Sequence, residues 1–154
     1  MPRIAIIGYG VVGRALGAVL AAKVRGAEVV AHDPKVRGRF IGKVRVAKAM
    51  PNALKGAAFI FLCLPSHLKG EGVAGAGWKA LAKQIAQYAE PSAVIVIKST
   101  LVPGDATRLE QLANRQVVAC PEFMSEGTAE RDILKPHRVL VGGKHKVAVD
   151  SVVK

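Results

Sequence analysis

The stretch Ile4-Ala5-Ile6-Ile7-Gly8-Tyr9-Gly10-Val11-Val12-Gly13 restricts the fold more than any other, because an apolar run feeds directly into a G-x-G-x-x-G loop and an apolar-periodic helix. Such a run reads as a parallel strand buried on both faces. Gly8 permits the tight turn, Gly10 lets the backbone approach a pyrophosphate, and Gly13 lets the helix pack close to the sheet. Free N–H groups and the positive helix end then face one anion. The same unit calls for an acid roughly 20 positions on, to hold the adenine-ribose hydroxyls. Asp33 stands there, after the strand-like Glu28-Val29-Val30-Ala31-His32. Glycine turns are common and this chain has 16 glycines, so the order strand, loop, helix, acid carries the reading. A dinucleotide site is predicted. The carboxylate favours NAD by repelling a 2′-phosphate, whereas Lys35, Arg37 and Arg39 nearby are placed to accept one.

The remaining chain repeats the alternation. Val12, Leu16, Val19 and Leu20 recur at helical spacing up to Arg25-Gly26. Residues 36–54 are the least legible, with a short third strand within 43–47 and a turn at Met50-Pro51-Asn52. Apolar strands follow at 57–64, 93–97, 117–119 and 139–141. Between them lie a helix over 78–88, a second over 106–114 with Asp105 as its cap, and an amphipathic helix from Lys146. The pattern predicts an α/β fold: one doubly wound, three-layer domain over residues 1–154, with about six parallel strands in the order 3-2-1-4-5-6.

With 51% hydrophobic and 22% charged residues, 154 residues suffice for a substantial core and exclude a disordered chain. The longest apolar runs, such as 57–64, are far shorter than the roughly 18 to 20 residues of a membrane span, and no charged-then-apolar leader precedes the first strand. A cytoplasmic protein is expected. Cys63 and Cys120 offer neither metal-ligand spacing nor a disulfide framework, and read as buried thiols. The formal charge of +12 raises a nucleic acid as partner. The basic residues are spread out, however, and the densest run, 35–48, has no aromatic platform beyond Phe40, which argues for a solvated face. A cofactor-binding or polyanion-binding module on the same fold is the alternative.

Ligands of open α/β sheets bind beyond the carboxyl ends of the strands. Leu64-Pro65-Ser66-His67, Lys98-Ser99-Thr100 and Cys120-Pro121-Glu122-Phe123-Met124-Ser125-Glu126-Gly127-Thr128-Ala129 all stand at such ends. His67 has no acid near it in sequence and reads as a loop residue. The segment 70–77 is glycine-rich, as a lid or a slack connection would be.

The order of the glycine loop, Leu64-Pro65-Ser66, Lys98-Ser99-Thr100-Leu101-Val102-Pro103-Gly104, the 121–129 segment and Pro136-His137-Arg138-Val139 resembles the N-terminal NAD-binding domain of the UDP-glucose/GDP-mannose dehydrogenases. The resemblance covers essentially the whole chain. Those enzymes oxidise the C6 alcohol of a nucleotide sugar to a carboxylate in two hydride transfers to NAD. The resemblance implies that Gly8, Tyr9, Gly10, Val11, Val12 and Gly13 hold the pyrophosphate, and that Asp33 and Lys35 hold the adenine ribose. Leu64, Pro65, Ser66, Ser99 and Thr100 would line the nicotinamide half, and Glu126 would touch the cofactor. Glu122 and Thr100 would move a proton through water, while Glu122 and the Phe123-Met124 backbone would meet a UDP- or GDP-sugar. This sequence departs from the family at His67, commonly proline, at Ser66, commonly threonine, and at Cys120, commonly asparagine. The family's linking helix and second domain, which supplies a cysteine nucleophile, have no counterpart in residues 1–154. The chain is therefore expected to be either a fragment of a longer enzyme or a short relative that binds cofactor and needs a separate substrate domain or partner chain for turnover.

Overall fold

The computed structural model describes residues 1–65, 73, 75–123 and 126–154. Its first unit is β1 (Arg3–Ile7), α1 (Val11–Lys23) and β2 (Glu28–His32). A hairpin of β3 (Phe40–Ile41) and β4 (Val44–Val46) comes next, followed by α2 (Met50–Leu54) and β5 (Phe59–Leu62). The second half runs α3 (Ala76–Tyr88), β6 (Val94–Ile97), α4 (Asp105–Ala113), β7 (Gln116–Ala119), α5 (Ala129–Leu134), β8 (Gly142–Gly143) and α6 (Lys146–Val153). One sheet orders these strands β3-β4-β2-β1-β5-β6-β7-β8.

The six strands from β4 to β7 are parallel throughout and stand in the expected order, with β4 as the third. Ile4 pairs with Phe59 in a parallel register, so β1 is flanked on both sides and its run Ile4-Ala5-Ile6-Ile7 is wholly buried. Under one sheet face α2, α3 and α4 enclose Ile60, Leu62, Ile95 and Ile97 with Leu81, Ile85 and Leu109. Each such side chain contributes about 1.5–3 kcal/mol by leaving water. On the other face α1 covers Ile4, Ile6, Val29 and Ala31, and α6 lies over Val94, Val96 and Val118. Phe59 and Phe61 fill the seam between these two clusters, which is why the apolar run of β5 alternates in burial instead of disappearing.

Three expectations change. The last strand is Gly142–Gly143, antiparallel to β7, while Val139 and Leu140 are exposed, because Gly143 lets the edge approach where a Cβ would press on the Val117 carbonyl oxygen at 2.9 Å. The expected turn at Met50-Pro51-Asn52 opens α2, since proline at the first helical positions lacks only an N–H that would go unbonded anyway. Asp105 starts α4 without capping it. Its buried carboxylate instead accepts the Val73 N–H at 3.4 Å, and Gly104, with φ of 93°, makes the entry turn.

Candidate cofactor and substrate site

The chain leaves β1 through Gly8, whose φ of 90° favours glycine, and a Cβ there would collide with the Cys63 carbonyl oxygen. Gly13 is required for a different reason: its Cβ would strike the Gly8 carbonyl oxygen. Gly10 differs from both. Its Cβ would meet no atom within 4 Å, so nothing inside the protein demands glycine there, and the space above it is open to a ligand. Gly10 is also the N-cap of α1, with no side-chain cap and no acid in the first turn, so the first N–H groups face that space. These features fit a dinucleotide's pyrophosphate.

Asp33 ties the loop to the end of β2. Its Oδ2 accepts the Tyr9 N–H at 2.9 Å and its Oδ1 accepts the Lys35 N–H at 2.8 Å, while the Gly8 N–H donates to the His32 carbonyl at 3.0 Å. Each carboxylate oxygen keeps acceptor capacity for a ribose hydroxyl. Lys35 is exposed, Arg37 folds back on the Pro34 carbonyl at 2.7 Å, and Arg39 lies over the Phe40 ring. Tyr9 offers the ligand only backbone: its ring runs beneath α1 against Gly17 and is 2% exposed.

At the other strand ends, the Ser99 hydroxyl accepts the Leu64 N–H at 3.0 Å and donates to the Leu64 carbonyl at 2.6 Å. Ser99 therefore latches β6 to the chain leaving β5 and has little hydrogen-bonding capacity left for a ligand. Thr100 and Pro65 are exposed. Lys98 donates from Nζ to the Cys120 sulfur at 3.6 Å. Glu122 is half-buried, and its Oε2 is shielded from solvent with no hydrogen-bond partner. Burial pushes the Cys63 thiol up to about 12, against the pull of Lys98 and with the help of the Glu122 charge, so these three groups share one locality. Phe123 is exposed, with the Arg138 guanidinium 4.2 Å from its ring centre. The structure thus gathers the glycine loop, Leu64, Ser99 and Glu122 along one rim. Ser66, His67 and Met124 lie outside the described residues; the Glu126 backbone sits in a 3-10 turn, Glu126–Thr128.

The chain matches the UDP-glucose/GDP-mannose dehydrogenase family, NAD binding domain, over residues 35–154. It belongs to that family. The matched range begins after the glycine loop and Asp33, so the loop rests on its own geometry and on a longer likeness. That likeness is to UDP-glucose 6-dehydrogenase 5 of Oryza sativa subsp. japonica, 30% identical over 94% of this chain and 37% of the relative. Among solved structures, UDP-D-ManNAc dehydrogenase from Pyrococcus horikoshii superposes with a TM-score of 0.79 at 22% identity, over 98% of this chain and 43% of that one. GDP-mannose dehydrogenase from Pseudomonas aeruginosa gives 0.76 at 20% identity, over 97% and 43%. The chain therefore spans about two fifths of the length of the relatives it matches. It is an NAD-binding domain of this dehydrogenase family.

Lys98 and Cys63 escaped the sequence reading as members of this rim. Lys98 was visible only as the first residue of the 98–104 loop, and the charge coupling of Cys63 to Lys98 and Glu122 crosses three strands. Among the described residues no group of His, Cys, Asp and Glu is arranged to hold a metal, and no helix is long and apolar enough to cross a membrane.

Proposed function

We propose that this domain serves the oxidation of a nucleotide-sugar C6 alcohol, with the loop 8–13 and Asp33 seating NAD and Glu122 taking up the proton released from the sugar hydroxyl. The observation that carries the reading is the Glu122 Oε2, buried and unpartnered at the strand ends where the loop and Leu64 converge. A shielded carboxylate oxygen with free acceptor capacity is what proton removal from an alcohol requires. When bound, NAD supplies the hydride acceptor. Gly10 leaves room for the pyrophosphate, Asp33 offers acceptors to the ribose, and the exposed Thr100 hydroxyl is available to relay a proton between water and Glu122. Phe123 is exposed to a sugar nucleotide.

The aldehyde stage needs more than these residues. Cys63 stays a protonated thiol at neutral pH, since its pKa is raised to about 12, and Cys120 is buried. Neither is an activated nucleophile facing a substrate. Residues 1–154 alone are therefore proposed to bind NAD without steady turnover, with the catalytic thiol supplied by a separate domain or chain.

Calorimetric titration with NAD and NADP, followed by assays with UDP-glucose, UDP-N-acetylmannosamine and GDP-mannose, tests this reading. NAD should bind more tightly than NADP. Equal affinities would mean that Lys35, Arg37 and Arg39 outweigh Asp33. Steady NADH production by the 154-residue chain would overturn the need for a second component. In an assembly that does turn over, Glu122→Gln should lower kcat by about 100-fold or more while NAD affinity holds; an unchanged kcat would remove Glu122 from the chemistry.

A further inference from the structure

The parallel strands β2 and β4 are joined by residues 33–43, which contain only the short strand β3. Parallel neighbours are usually joined by a crossover helix. Here the connection carries no crossover helix, and a cleft of about 880 Å³ opens between α1, the β3–β4 hairpin and the start of α5, which packs on α1. We propose that this cleft is a second ligand site, distinct from the cofactor rim, and that it takes an amphipathic anion: a flat apolar body carrying a carboxylate, sulfonate or phosphate.

The shape comes first. Ala15, Ala18 and Ala21 give one wall a shallow apolar surface on α1, and Ile41 and Val44 form the facing wall. The volume falls in the range of small-molecule sites, several hundred to about a thousand Å³. Charge then selects the ligand. Arg14, Lys43 and Arg131 line the cleft against a single lining acid, Glu130, and with Arg131 also paired to Asp132 at 3.5 Å the positive charge still exceeds the negative, so an anionic head group is attracted while the walls accept an apolar body.

Tyr9 supplies an independent pointer. It is 2% exposed and lines the cleft, yet its hydroxyl has no hydrogen-bond partner among the described residues. Burial raises its pKa above the usual phenol value, against the opposing Arg14 charge, so the hydroxyl stays a neutral donor. The hydroxyl is not among the solvent-shielded unpartnered atoms, so it is accessible at the cleft wall, where it can donate to an anionic oxygen. The cofactor rim is separate: Asp33, Leu64, Ser99 and Glu122 do not line the cleft, which shares with it only Tyr9 and Val11 of the loop and Gly127 and Thr128 of the turn that carries Glu126.

The probe for the test is 8-anilinonaphthalene-1-sulfonate, titrated by fluorescence into the full chain with and without saturating NAD, with alanine methyl signals followed by NMR. The expected result is one dye per chain, retained in the presence of NAD, with shifts at the Ala15, Ala18 and Ala21 methyls. Ala18 is exposed, so Ala18→Phe fills the cleft without entering the core and should weaken dye binding about tenfold or more while NAD affinity is unchanged. The double variant Lys43→Glu, Arg131→Glu alters only exposed side chains and should weaken the dye to a similar degree. Displacement of the dye by NAD, methyl shifts confined to other residues, or full affinity in either variant would overturn the proposal.

Discussion

Gly10 and Cys63 show how single positions divide between folding and function. Because a Cβ at Gly10 meets no protein atom within 4 Å, Gly10→Val should leave the thermal midpoint within a few degrees of the parent. The same side chain blocks the approach of a pyrophosphate, so NAD affinity should fall below detection in calorimetry. A large loss of stability instead would make Gly10 a folding residue. Cys63 gives a pH signature. Its pKa is about 12 in the fold against 9.0 for a free thiol, so the folded state holds this proton where the unfolded chain has released it. The bound-proton difference makes stability fall as pH rises from 9.0 toward about 12, and it has no effect below 9.0. Denaturant midpoints of the parent and Cys63→Ala, compared across that window, should show the parent losing ground as pH rises. A constant difference would refute the assignment.

The elements are held at their ends by side chains reaching across long sequence intervals. Arg115, 9% exposed, donates from Nε to the Glu90 carbonyl at 2.7 Å, from Nη2 to the Ala89 carbonyl at 2.6 Å and from Nη1 to the Asn114 carbonyl at 2.7 Å. One guanidinium thereby satisfies carbonyls at the ends of both α3 and α4, where the helix dipoles favour a cation. Arg115→Met removes these bonds and leaves carbonyls short of partners, which should cost about 3 kcal/mol in denaturant unfolding. Arg115→Lys should recover only part, because an ammonium lacks the planar fork. A loss under about 0.5 kcal/mol for Arg115→Met would show that water substitutes freely. Nothing in the sequence marks this residue, since its partners are main-chain oxygens, those of Ala89 and Glu90 about 25 positions away. The central strands were legible because each is an apolar run between turn signals, and β1, β2, β5, β6 and β7 all stand where those runs lie. The edges were not: β3 and β8 have two residues each, too few for a periodic pattern, and their pairing is decided by tertiary contact. The glycine loop and Asp33 were legible for the same local reason. The Ser99 latch and the cleft beside α1 depend on which strands become neighbours, and that information is spread over the whole chain.

At the scale of the molecule the formal charge of +12 asks whether a polyanion is the real partner. The described acids are partly engaged locally, as in the Glu28 pair with Arg45 at 3.0 Å and the Asp150 pair with Lys146 at 2.8 Å, leaving many cations facing solvent. Of the three exposed aromatic rings among the described residues, Phe40 and Phe123 already carry Arg39 and Arg138 over their faces and Tyr88 stands alone at the end of α3, so no row of bare rings is presented for stacking bases. Association with DNA or RNA should therefore be purely electrostatic: a dissociation constant of roughly 10⁻⁴–10⁻⁶ M at physiological salt, with no preference for sequence and a steep fall as salt rises. NAD binding should depend far less on salt, because the seat over Gly10 is built from backbone N–H groups and a helix end. Gly10→Val separates the two, since it alters the seat and leaves the charge of the surface as it was. Fluorescence anisotropy with a labelled 20-mer duplex, run beside NAD calorimetry on both proteins across a salt series, makes the comparison. Submicromolar nucleic-acid binding that survives Gly10→Val while NAD binding is lost would identify a polyanion partner outside the cofactor seat; micromolar, salt-sensitive binding in both proteins is the expected outcome and leaves the charge as a solvated surface around an NAD-binding domain.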